Sequence, residues 1–122
     1  MPLEIQTQSL TKETTVIQPA GRMDVEAAAE VRQVILNLAE LGAKSVIVDL
    51  QGVDFMDSSG LSALVTGLKA LQSHGGVLRI CSANAQVKTA LRLTMLDRIL
   101  PVYENVQAAY ASLRGEQAGE NG

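Results

Sequence analysis

At 122 residues, 47% of them hydrophobic and only 2% aromatic, the chain is long enough for one domain whose core is built from Val, Ile, Leu and Ala. The formal charge is −3 and no cluster of Lys or Arg appears, which disfavours nucleic acid and anionic membrane as partners. No apolar run approaches the ~20 residues that span a bilayer, no signal peptide opens the sequence, and the single Cys81 rules out an internal disulfide or a multi-cysteine metal site. The expectation is a soluble, cytoplasmic monomer with no cofactor or metal.

Leu3 to Thr7 alternates apolar and polar residues and predicts a half-exposed strand. A polar turn at Thr11–Thr14 leads to a second strand, Thr15–Gln18, paired with the first as a hairpin. Pro19 has no N–H for a ladder, so this strand is expected to end there or to lie at an edge. Gly21-Arg22-Met23-Asp24 then reads as a connection, with Asp24 placed to cap a helix. The helix carries an apolar stripe of Ala28, Val31, Val34, Ile35, Leu38 and Leu41 and stops at Gly42. Its other side, with Glu26, Glu30, Arg32 and Glu40, reads as an ordinary solvated face.

Val46 to Leu50 predicts the central strand of the sheet. The stretch Val53-Asp54-Phe55-Met56-Asp57-Ser58-Ser59-Gly60-Leu61 follows as a loop and the start of a second helix, whose buried face is Leu61, Leu64, Val65, Leu68 and Leu71. Asp57 and Ser58 fall where a helix takes its N-cap. The first turn of a helix has unpaired N–H groups and a partial positive charge, so a hydroxyl held there is exposed and suited to carrying a phosphate. Ser73-His74-Gly75-Gly76 ends this helix, Val77–Cys81 is a fourth strand, and Asn84 caps a third helix with Val87, Leu91 and Met95 inward and Lys88 and Arg92 outward. Ile99–Tyr103, interrupted by Pro101, predicts a short edge strand. Asn105 caps a last helix holding Val106, Ala109, Tyr110 and Leu113. The domain is expected to span 1–114, with 115–122 too polar to pack and frayed as a tail.

These elements predict an α/β domain: a mixed, mostly parallel sheet of about five strands opened by a β-hairpin, with about four helices and right-handed crossovers. Partner surfaces in such folds gather beyond the carboxyl ends of the strands. Parallel pairing of the second and third strands would bring Asp24 close to Asp57 and Ser58. On the outward side of the second helix, Ser62, Thr66 and Lys69 continue from Ser58 at i+4, i+8 and i+11, small polar residues that permit close approach of a partner. No phosphate loop of the GxGxxG or GxxxxGK[ST] kind is present, nor a metal-spaced His/Cys set, and His74 is the lone histidine. An enzyme or nucleotide-binding reading is therefore disfavoured.

Asp49-Leu50-Gln51-Gly52-Val53-Asp54-Phe55-Met56-Asp57-Ser58-Ser59-Gly60-Leu61 closely resembles the core motif of the STAS domain of bacterial anti-sigma factor antagonists. Gly21-x-x-Asp24 matches a second landmark of that family, and Leu93 to Val102 a third. The family commonly has Gly where this chain has Met95, at the end of the third helix. The resemblance covers Leu3 to Leu113 and implies that Ser58 is phosphorylated by an anti-sigma factor serine kinase of the histidine-kinase-like ATPase fold. It further implies that a metal-dependent serine phosphatase reverses the step. The unmodified chain would then hold the anti-sigma factor and free the sigma factor. Asp24, Asp57, Ser59, Gly60, Ser62 and Thr66 are the expected partner-binding residues around Ser58. The alternative is a STAS-type scaffold subunit of a larger signalling or transport assembly without a phosphoswitch.

Overall fold

The computed structural model describes residues 4–121, with side chains as far as Arg114. Its elements are β1 (Glu4–Ser9), β2 (Thr14–Met23), α1 (Val25–Glu40), β3 (Ser45–Asp49), β4 (Gly52–Met56), α2 (Ser58–Ser73), β5 (Val77–Cys81), α3 (Ala85–Leu93), a 3-10 turn (Leu96–Arg98), β6 (Val102–Tyr103) and α4 (Val106–Asn121). The sheet runs β1-β2-β3-β5-β6, with β4 attached to β2. Only the β1–β2 hairpin is antiparallel. This is the mixed, mostly parallel sheet that the order of elements implies, with six strands in place of five.

The additional strand comes from a fork. The first half of β2 pairs with β3 as far as Ile17↔Val48, and its second half pairs with β4 from Ala20↔Gly52 to Met23↔Met56. Gln18 and Pro19 sit at the fork with no partner on that side, so the missing N–H of Pro19 costs no ladder bond there. Pro19 therefore does not end the strand but lies at a local edge of it. It is buried, opposite Ile5 of β1, and the Gly21–Met23 connection is strand. The Val53–Phe55 stretch, read as loop, is likewise strand for the same reason. At the fork the backbones crowd: a Cβ on Gly52 would lie 2.9 Å from Ala20 Cβ.

Strand parity divides the core. Ile17, Val46, Val48, Leu78 and Ile80 face α1, α2 and α3 in the main cluster, while Val16, Ile47 and Cys81 face Ala109 and Leu113 of α4. Inserted as the middle strand, β3 is buried at all five positions. Its polar ends are satisfied: Ser45 Oγ lies 2.7 Å from Thr14 Oγ1, and Asp49 accepts from Gln18 Nε2 at 3.0 Å and from the Gln51 amide at 3.1 Å.

Three glycine-related details set the helix ends. Gly42 (φ +91°) and Gly75 (φ +78°) take the left-handed position after α1 and α2, and the amides that follow close back on Leu38 and Leu71 at 3.0 and 2.7 Å. After α3 the same position falls to Met95, at φ 61°, ψ 14°. Met95 is therefore 61% exposed rather than turned inward, and Leu41, one residue past the last turn of α1, is 83% exposed rather than part of its stripe. Ile99 is also exposed, and the last strand shortens to Val102–Tyr103 beside Ile80 and Cys81. The α4 backbone continues as helix to Asn121, through most of the segment 115–122 read as a tail; Gly122 lies outside the described residues.

Candidate functional site

Two helices start side by side because two strands end side by side. Met23 and Met56 are register partners at the ends of β2 and β4, and the Asp57 amide donates to the Met23 carbonyl at 3.3 Å. The next residue of each strand is an N-cap. Asp24 Oδ1 accepts from the Ala27 amide at 3.1 Å, and Asp57 Oδ1 accepts from the amides of Ser59 and Gly60 at 2.9 and 3.2 Å. Asp24 and Asp57 are thus neighbours, as expected, although the strand that brings Asp57 alongside is β4 rather than β3.

Both helices leave from the same ends of parallel neighbours, so α1 and α2 run in the same direction. They pack closely where Gly67 meets Ile35; a Cβ on Gly67 would lie 2.8 Å from Ile35 Cγ2. Gly60 does the same at the head of α2. A Cβ there would fall 2.5 Å from Met56 Cγ and 3.1 Å from Met23 Cγ. Gly60 is buried, so its contribution is room for the two methionines under the loop rather than a surface.

Ser58 is the first residue of α2 and is exposed. It opens onto a groove of about 360 Å³ lined by Ser58, Ser59, Ser62 and Ala63 of α2 and by Val25, Ala28, Ala29 and Arg32 of α1. Ser59 is half-buried, Ser62 and Lys69 are exposed, and Thr66 is half-buried further along α2. The amides of the first turn are less available than the sequence suggests. Asp57 already takes those of Ser59 and Gly60 through its carboxylate and that of Leu61 through its carbonyl at 3.2 Å. Among the described residues, only the Ser58 amide of that turn is left without an acceptor. The cap holds the backbone of the first turn, and with it the position of Ser58, while placing a carboxylate at the preceding residue.

Four contributions were not legible in the sequence. Gln86 of α3 uses both ends of its amide on the outer edge of β4: Met56 N donates to its Oε1 and its Nε2 donates to Met56 O, each at 2.9 Å. Asn84, which caps α3 through the Val87 amide, also donates to the Val53 and Asp54 carbonyls at 3.3 and 3.0 Å. These side chains occupy the backbone groups that an edge strand leaves open and hold the residue just before Asp57. Arg22, paired with Phe55 across the β2–β4 ladder, stacks its guanidinium 4.1 Å from the ring centre. Arg32, on the solvated face of α1, is exposed and also lines the groove. A side-chain amide opposite a strand edge and a cation across a groove carry no periodicity, so no pattern in the sequence marks them.

No helix among the described residues is long and apolar enough to cross a membrane. No group of three or more His, Cys, Asp or Glu able to hold a metal ion occurs among the described residues. Cys81 is buried under α4. Loss of solvation pushes its thiol from the ordinary 9.0 up to about 11, with a hydrogen bond involving Ser82 acting the other way and the Asp49 charge adding to the rise.

The fold is shared with known proteins. Residues 4–109 match the sequence family described as the STAS domain. An anti-sigma-B factor antagonist of Staphylococcus aureus is 29% identical over 107 residues, covering 88% of this chain and 98% of that protein. The anti-sigma factor antagonist SpoIIAA in its unphosphorylated form superposes with a TM-score of 0.79 at 24% identity, over 92% of this chain and 97% of that one. Its phosphorylated form, described as a Bacillus cell fate determinant, superposes at 0.71 and 22% identity, over 90% and 99%. The chain belongs to the STAS domain family, among relatives named as anti-sigma factor antagonists.

Proposed function

We propose that this protein is an anti-sigma factor antagonist controlled by phosphorylation of Ser58. Unmodified, it binds an anti-sigma factor serine kinase of the histidine-kinase-like ATPase fold and so frees the sigma factor; modified, it lets go. The observation that carries the reading is an exposed serine on the first residue of a helix, directly after an N-cap carboxylate that holds the turn, and lining a groove. The protein acts as substrate and binding module rather than as catalyst. Ser58 Oγ attacks the γ-phosphorus of Mg-ATP held by the partner, the new O–P bond forms as the bond to ADP breaks, and the hydroxyl proton leaves to a base on the partner. A metal-dependent serine phosphatase would return the hydroxyl.

The interface expected around Ser58 uses Asp24, Asp57, Ser59, Ser62 and Thr66, with Gly60 serving as packing beneath it. A phosphate adds about −1.5 to −2 charges at neutral pH, next to two cap carboxylates. Closing a partner over that charge costs several kcal/mol of desolvation unless a cation meets it, whereas a hundredfold loss of affinity needs only about 2.7 kcal/mol. Release therefore requires no rearrangement of the sheet.

The test is capture from the native host with wild type, Ser58→Ala and Ser58→Asp as baits, followed by intact mass after incubation with the captured partner and Mg-ATP. The expected result is that Ala retains an ATPase-like partner, Asp loses it, and only chains with Ser58 gain one phosphate. Equal recovery by all three baits, or a phosphate gained by Ser58→Ala, overturns the assignment.

A further inference from the structure

A phosphate at Ser58 would meet an unbalanced local field. Asp57 stands at the head of α2 and Asp24 at the head of α1, and the first turn of α2 has one uncommitted amide among the described residues. The groove onto which Ser58 opens has a single cation in its lining, Arg32. Arg32 is exposed and has no hydrogen bond or ion pair with any described residue. It lies seven residues into α1, about 10 Å along the axis from Val25. Helical side chains lean toward the N-terminus of their own helix. Because α1 and α2 run in the same direction, that lean carries the guanidinium toward the Ser58 end of the groove. The small side chains Ala28, Ala29, Ser59 and Ser62 leave the path open.

We propose that Arg32 is the intramolecular receiver of the Ser58 phosphate. The inference deepens the reading of Ser58 as a phosphosite and rests on it. On modification, the guanidinium fork pairs with the phosphate oxygens across the groove, a geometry for which arginine is better suited than lysine. The pair bridges α1 and α2 and fills the space that a partner would enter. Phosphorylation then withdraws two recognition elements together, the free hydroxyl and the free cation.

The experiment installs phosphoserine at position 58 during synthesis by codon reassignment, so no kinase is needed, in wild type, Arg32→Gln and Arg32→Lys. The phosphate is followed through its second ionisation by 31P NMR. Arg22, Asp24, Glu26, Asp54 and Asp57 are the other charges around the head of the two helices, and they are the same in all three proteins. In wild type the guanidinium should hold down the second pKa of the phosphate, ordinarily ~6, against the two cap carboxylates. In Arg32→Gln the phosphate should titrate about half a pH unit or more higher, because an opposite charge has been removed and the carboxylates remain, with Arg32→Lys between the two. The unphosphorylated Arg32→Gln protein should melt like wild type, as Arg32 packs in no core. Identical titration curves for wild type and Arg32→Gln overturn the role of Arg32 and leave the phosphoswitch standing. Failure of the partner kinase to modify Ser58 sinks the switch and is read by mass, independently of the titration.

Discussion

Replacing Asp57 by Ala should loosen the head of α2, while replacing it by Asn should not. The carboxylate accepts two amide hydrogen bonds at 2.9 and 3.2 Å, and it is half-buried. Removing an N-cap of this kind costs about 0.5–2 kcal/mol. Two amides are left without a protein acceptor here, so the upper end of that range applies, about 1.5–2 kcal/mol. An unfolding entropy of about 2.1 cal/mol/K per residue gives about 0.26 kcal/mol/K for a chain of this length. Asp57→Ala should therefore lower Tm by about 6–8 °C. Asn keeps the acceptor oxygen and loses only the charge at the helix mouth, about 0.3–1 kcal/mol, or about 1–4 °C. Thermal melts followed by circular dichroism, with urea unfolding to show an unchanged slope, measure both. Equal losses for Ala and Asn would mean that charge, not capping, holds the loop, and two negligible losses would mean that Asp57 does not position Ser58 at all.

Met95→Gly should stabilise the protein. The side chain is mostly exposed and the backbone is left-handed, so removing a strain of about 1–2 kcal/mol outweighs the added glycine entropy of about 0.5–1 kcal/mol; a drop in urea midpoint would show that the turn carries no such strain. Gly60→Ala should destabilise by about 1–3 kcal/mol, because the new methyl meets Met56 and Met23 at their γ-carbons, and it should weaken partner binding as Ser58 is displaced. Wild-type affinity and midpoint together would refute that. Cys81 predicts an alkaline loss of stability. Below pH 9 the thiol is neutral in both states; between pH 9 and about 11 the unfolded chain ionises first, so stability falls by roughly 2–3 kcal/mol as pH rises through that window. Urea midpoints for wild type and Cys81→Ala across pH 8–11 should diverge accordingly, and parallel curves would contradict it.

Much of this architecture is written in local pattern. The stripe Val31, Val34, Ile35, Leu38 and the run Val46-Ile47-Val48 announce their elements through period and β-branching, and Asp24, Asp57, Asn84 and Asn105 all cap the helices they precede. What is hidden depends on pairing at a distance. Pro19 looks like a strand end only until β2 is seen to change partners beside it, and Val53–Phe55 looks like loop until β4 takes the second half of β2. Met95 and Leu41 fit an apolar periodicity that continues one or two residues past the last hydrogen-bonded turn. At the site, the nine residues from Val53 to Leu61 carry the serine, its cap and the glycine beneath it. The clamp from Gln86 and the cation of Arg32 arrive from α3 and α1, and only the packing of those helices brings them near.

The central claim is tested most directly by the affinity of the cognate anti-sigma factor kinase for this chain before and after stoichiometric phosphorylation of Ser58, measured by calorimetry beside the unfolding midpoint of each form. A fall in affinity of a hundredfold or more, with the midpoint shifted by less than about 1 kcal/mol equivalent, is the predicted result. Unchanged affinity, or affinity lost only because the modified chain unfolds, would contradict it.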